Sequence, residues 1–126
     1  MDLFSWLLVG HLVGDWVLQN EWMAKGKRTG LLTKAGLTHF LIYTTAIIIV
    51  LALLGPVHKD PLAFLATIVL IFISHWLVDA TNVVDRWMQF YQQSQGTMIR
   101  VMVDQTFHLL ILATVALAWQ TLGAKL

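Results

Sequence analysis

The sequence predicts an all-α integral membrane protein, an up-down four-helix bundle with both termini external, and three observations predict it. The 126 residues are 58% hydrophobic and only 12% charged, with a mean hydropathy of +0.72, outside the usual range of soluble domains. Apolar residues gather into four stretches, 3–18, 37–57, 61–84 and 98–122. Positive charge collects in alternate connections between those stretches.

The first stretch extends about 24 Å at the helical rise per residue, marginal for a bilayer core. It lacks a basic n-region and carries His11 and Asp15 where a secretory signal would have its apolar centre, so it reads as a span. The other three are long enough to cross as helices. Gly55-Pro56 and Asp60-Pro61 punctuate the connection between the second and third, because proline disfavours helix in the residue before it and opens the next one readily. Those two spans are expected to form a tight hairpin. The third connection, V-V-D-R-W-M-Q-F-Y-Q-Q, mixes aromatic and polar residues as a helical extension or an interfacial helix does. No internal repeat appears, and residues 1–126 are expected to form one four-span transmembrane domain.

Orientation follows from charge. The first connection holds Lys25, Lys27, Arg28 and Lys34, and the third with its flank holds Arg86 and Arg100, against Lys59 and Lys125 on the opposite side. By the positive-inside rule the first and third connections are cytoplasmic. Trp22 and Trp87 then fall near the cytoplasmic interface, and Trp6 and Trp119 near the outer one. The absence of cysteine excludes disulfides, thiolate catalysis and sulfur ligation of a metal. A net charge of +1 argues against a nucleic-acid partner, leaving the lipid bilayer as the expected environment.

Three ionisable pairs share one spacing inside these apolar segments: His11 with Asp15, His75 with Asp79, and Asp104 with His108. A four-residue step places both members on one helix face. His39 stands alone near the start of the second span. In an up-down bundle all seven groups lie in the cytoplasmic half, and every Asp is nearer the cytoplasm than its His. Ionisable groups at that depth are costly and mark sites or pathways. A lone pair would read equally well as an interhelical hydrogen bond of about 1 kcal/mol, but three pairs and a further histidine in one layer favour a single site.

Imidazole and carboxylate without sulfur suit a divalent metal: zinc first, with iron or manganese as alternatives, as one or two ions. His11, His75 and His108 lead as ligands, with His39, Asp15, Asp79 and Asp104 completing the set. Asp79 or Asp104, left free of metal, would serve as general base, and Gln19 and Gln105 are candidate substrate contacts. The resulting expectation is a metal-dependent hydrolase acting on a lipid or another amphiphile. The same layer could instead be a proton relay or a transition-metal pathway, with a homo-oligomer supplying further helices. Haem held by two histidines would leave three aspartates unexplained, and a structural subunit would use the polar layer only to fix helix register. Among weaker signals, Gly10 and Gly14 suit close helix packing, Trp16 and Trp76 suit core packing or a pocket wall, and His58 reads as a solvated turn residue. The basic run Lys25, Lys27, Arg28 would attract an anionic head group, although orienting the protein already accounts for it.

H-L-V-G-D-W-V-L-Q-N-E-W-M-A at 11–24, S-H-W-L-V-D at 74–79 and V-D-Q-T-F-H at 103–108 resemble a small bacterial and phage inner-membrane family known only as domain of unknown function 3307. The likeness covers almost the whole chain and implies a bacterial inner-membrane, multi-pass setting without an activity. S-H-W-L-V-D is also similar to a motif of membrane-bound metal-dependent hydrolases, and that similarity alone implies hydrolysis.

Overall fold

The computed structural model describes residues 1–54 and 60–123. Six α-helices and one π turn make up the described chain: α1 (Leu3–Leu12), the π turn (Val13–Val17), α2 (Glu21–Gly26), α3 (Lys34–Leu54), α4 (Pro61–Ala80), α5 (Val83–Phe90) and α6 (Thr97–Gly123). Three of them, α3, α4 and α6, are long and apolar enough to cross a membrane. This overturns the four-helix bundle.

The first apolar stretch fails as a span for a local reason. Its regular α-helix ends at Leu12, and with the π turn the helical segment stops at Val17, about 22 Å of rise against a hydrocarbon core of about 30 Å. The chain then breaks, and Asn20 begins a new helix by accepting a hydrogen bond from the Met23 N–H at 2.9 Å. With the fourth crossing go the up-down four-span topology and the external placement of both termini. The first and third connections, for their part, fold into α2 and α5.

Local rules explain the other helix starts. Asp2 caps α1 through the Ser5 N–H at 2.8 Å, and that backbone bond holds its carboxyl below the ordinary carboxylate value. Asp60 caps α4 through the Ala63 N–H at 2.9 Å, with Pro61 in the first turn as its sequence position predicts. At the start of α3, Thr33 Oγ1 accepts from the Gly36 N–H at 3.0 Å and donates to the Gly26 carbonyl at 2.7 Å. One hydroxyl thus fastens the end of α2 to the beginning of α3. The expected hairpin turn at 55–59, including His58 and Lys59, lies outside the described residues, as does Lys125.

Among the described residues, the larger of two apolar clusters occupies one end of the bundle, and the smaller packs Val78, Val84 and Met88 against α6. Leu7, Tyr43, Ile47, Leu51, Ile71 and Leu112 are buried together with the last turns of α6. These residues follow His39 in α3, precede His75 in α4 and follow His108 in α6, so α4 runs opposite to its two neighbours. Trp119 belongs to this core and donates to Thr67 Oγ1 at 3.2 Å, rather than lying in an interfacial belt. Trp16 is exposed, whereas the half-buried Trp76 donates to the Leu31 carbonyl at 2.7 Å. Only 17% of the apolar window of α4 is buried, which leaves most of that helix to face lipid. Multiple apolar helices of this kind place the protein in a bilayer as a multi-pass membrane protein.

Candidate metal centre

The polar residues sit at the opposite end of the bundle from the apolar core, and all seven ionisable groups singled out in the sequence are buried there. Asp15, His39, His75 and Asp79 bring one ligand atom each to within 4.8 Å of one another, and Asp79, Asp104 and His108 do the same. Asp79 is common to both groups. The cluster is thus drawn from the π turn, α3, α4 and α6, and it can coordinate a metal ion.

The π turn decides how Asp15 enters. Leu18 N–H bonds to the Val13 carbonyl at 2.9 Å, five residues back, so Asp15 is presented from a turn wound more widely than an α-helix. Close packing holds it there, since a Cβ on Gly14 would meet Tyr43 Cα at 3.0 Å and one on Gly10 would meet Val50 Cγ2 at 3.0 Å. His11 lies outside both ligand groups. Its Nδ1 is 3.2 Å from the Tyr43 hydroxyl and its Nε2 is 2.8 Å from Gln105 Oε1.

His39 Nε2 is the most crowded atom in the protein's interior. Within 3.3 Å lie Asp79 Oδ2 at 3.1 Å, Asp15 Oδ1 at 3.2 Å, His75 Nε2 at 3.0 Å and Lys27 Nζ at 3.3 Å. A ring nitrogen offers one N–H or one lone pair, so hydrogen bonding cannot satisfy four such neighbours. Four donors around zinc at 2.0–2.1 Å would stand about 3.3 Å apart. The spacing suits a cation-binding shell better than a hydrogen-bonded one.

The ring planes are fixed by stacking and by backbone contact. Tyr43 stacks on His75 with centroids 3.6 Å apart and planes 2° from parallel. His108 Nδ1 lies 2.9 Å from the Asp104 backbone carbonyl, so a proton there leaves Nε2 with its lone pair free. Gln105 donates to Asp15 Oδ2 at 2.9 Å and to Asp104 Oδ2 at 3.2 Å while accepting from His11. It bridges three of the predicted residues. Gln19 is half-buried, and its Oε1 finds no partner among the described residues.

Two residues of the cluster were not singled out in the sequence. Tyr43 follows His39 by the same four-residue step as the other pairs, so the spacing could have found it had the search not been confined to His with Asp. Lys27 had no such signal. It is read in the sequence as one of several orienting charges, yet it is buried with Nζ 2.6 Å from Asp79 Oδ2 and 3.6 Å from Asp15 Oδ1.

Because Gln105 orients carboxylates without standing among the ligand groups, Gln105→Ala should weaken rather than abolish metal binding. A loss of about 10-fold in affinity is expected, read by competition with a chromogenic chelator on protein whose helicity is unchanged.

The family described as Protein of unknown function (DUF3307) matches residues 3–126. No curated protein matches, and no solved structure matches. These comparisons show no similarity to membrane-bound metal-dependent hydrolases.

Proposed function

We propose, for a chain that belongs to the DUF3307 family of proteins of unknown function, that it is a metal-dependent hydrolase of the bacterial inner membrane whose buried His/Asp centre faces the cytoplasm. The observation that carries this reading is the convergence of Asp15, His39, His75 and Asp79, and of Asp79, Asp104 and His108, in a buried layer. Zinc is the metal this donor set suits best, with iron or manganese as alternatives. A divalent ion held there would polarise a substrate oxygen and bring the pKa of a water toward neutrality.

The protein's own groups would do the rest. Asp79, common to both clusters, holds the cation. Asp104 borders only the second cluster and would be the better general base, through the carboxylate oxygen not engaged in holding the metal. Gln105 aligns Asp15 and Asp104, and His11 fixes Gln105 in turn. Tyr43 holds the His75 ring, and apolar packing beyond it excludes water from one side.

Access supports an amphiphilic substrate such as a lipid. A polar cavity of about 460 Å³ reaches Asp79 and is bordered by Arg28, Asn82, Asp85 and Arg100. An apolar groove of about 620 Å³ between α1 and α3, walled by Trp6, Val13, Leu41 and Ile49, has the character of an acyl-chain channel. Arg28, Arg86 and Arg100 belong to the connections and flank at the polar end, which supports a cytoplasmic orientation of the centre. Among the described residues the buried apolar core beyond Tyr43 leaves no continuing row of charged groups, which favours hydrolysis over ion transport.

The test is elemental analysis of detergent-purified protein, followed by turnover against esters, amides and phospholipids with and without chelator. Hydrolysis that is lost on chelation and restored by Zn²⁺ is the expected result. A well-folded protein free of metal would overturn the reading, and metal-dependent proteoliposome flux without turnover would replace it with transport.

A further inference from the structure

The two ligand groups that share Asp79 are not equivalent. In the first, with Asp15, His39 and His75, the Lys27 ammonium is already inserted, 2.6 Å from Asp79 Oδ2 and 3.6 Å from Asp15 Oδ1, so that Asp15 Oδ1, although it accepts no hydrogen bond, faces a cation. In the second, Asp79 Oδ1 and His108 Nε2 are buried, have no hydrogen-bond partner among the described residues, and face each other across 3.9 Å. The two oxygens of Asp79 thus serve different halves: Oδ2 meets the lysine and Oδ1 remains free. Buried polar atoms without partners are rare because each forfeits its solvation, and two converging on one point mark a ligand position.

Charge counting agrees. The cluster contains the carboxylates of Asp15, Asp79 and Asp104 and the ammonium of Lys27, all buried. With neutral imidazoles, three negative charges against one positive leave an excess that one divalent ion cancels. A second divalent ion would leave the centre carrying a double positive charge in a medium that penalises any uncompensated charge.

We infer that the centre takes one divalent ion per chain, held by Asp79 Oδ1, His108 Nε2 and Asp104, and that Lys27 is the resident cation of the other half. This rests on the metal-binding reading above and specifies it. The arrangement resembles a two-metal site in which an ammonium stands in for one metal: two cations on either side of one carboxylate, both placed to meet negative charge developing on a substrate. Lys27 is attached to α2, whose end is fastened to α3 by Thr33. The second cation is therefore supplied by the fold and does not depend on metal availability.

The experiment is metal stoichiometry on the full-length protein in detergent, using Zn²⁺ alone as the probe. Wild-type protein should bind one ion per chain. His108→Gln should lose affinity by at least 10-fold, whereas His39→Gln should keep one ion with a change under about 3-fold. Lys27→Met, which frees Asp15 and Asp79 Oδ2, should raise the stoichiometry to two. Two ions in wild-type protein, or a reversed order of the histidine variants, would overturn this assignment while leaving the centre a metal site. No ion in folded wild-type protein would remove the metal reading itself. Should Lys27→Met fail to fold, the wild-type count and the histidine pair decide the question alone.

Discussion

Asp79→Asn should strip the protein of its metal and weaken its fold in the same step. The substitution keeps the side-chain shape but removes the charge that faces Lys27 at 2.6 Å, His39 at 3.1 Å, His75 at 3.3 Å and, through the other oxygen, His108 at 3.9 Å. Loss of a ligand common to both groups should reduce metal affinity by more than about 100-fold, beyond the range of orienting residues. Lys27 would then be left buried with only Asp15 nearby, and breaking a buried pair in this way costs about 3–5 kcal/mol. The two effects separate in a double variant. Lys27→Met with Asp79→Asn should recover much of the stability, measured by denaturant titration in detergent, without recovering metal. A single variant as stable as wild type would mean that the lysine pair contributes nothing.

Gly26→Val is expected to have the next largest effect, through packing alone. A Cβ at Gly26 would lie 2.3 Å from Ala35 Cβ, and neither atom is the tip of a flexible side chain. The end of α2 must move off α3, carrying Lys27 with it. Overpacking of this kind costs about 1–3 kcal/mol, read as a lowered thermal midpoint. It should also expose Lys27 to an amine-reactive reagent, scored at that residue by peptide mass spectrometry. Gly30→Ala, whose added Cβ would meet Thr33 Cγ2 at an ordinary 3.4 Å, is the control and should change neither measurement. An unlabelled Lys27 in Gly26→Val would show that α2 can be displaced without opening the centre.

What the sequence made legible was composition and periodicity. The spans of α3, α4 and α6 are visible because long apolar runs have no competing explanation. Pairs such as His75 with Asp79 stand out because ionisable residues are scarce in such runs, and six of the seven sequence-predicted groups fall in the two ligand sets. The first stretch reads as a span because hydropathy does not register the change in winding at 13–17 or the break that follows it before α2. Lys27 was hidden for another reason: its burial depends on how closely Gly26 approaches Ala35, a tertiary contact with no trace in residue spacing.

In lipid, the apolar surfaces of α3, α4 and α6 gain little by meeting each other rather than acyl chains, because both are hydrocarbon. With so much of α4 turned outward, shared apolar area is a weak reason for these helices to stay together. The polar layer is the stronger one, since Asp15, Lys27, His39, Asp79 and Asp104 have no acceptable surroundings except one another. The cluster is thus the clasp of the assembly as well as its chemistry. Folding of the protein and completion of its site are the same event, so a chain that has not gathered these side chains is, to the membrane, a set of separate helices.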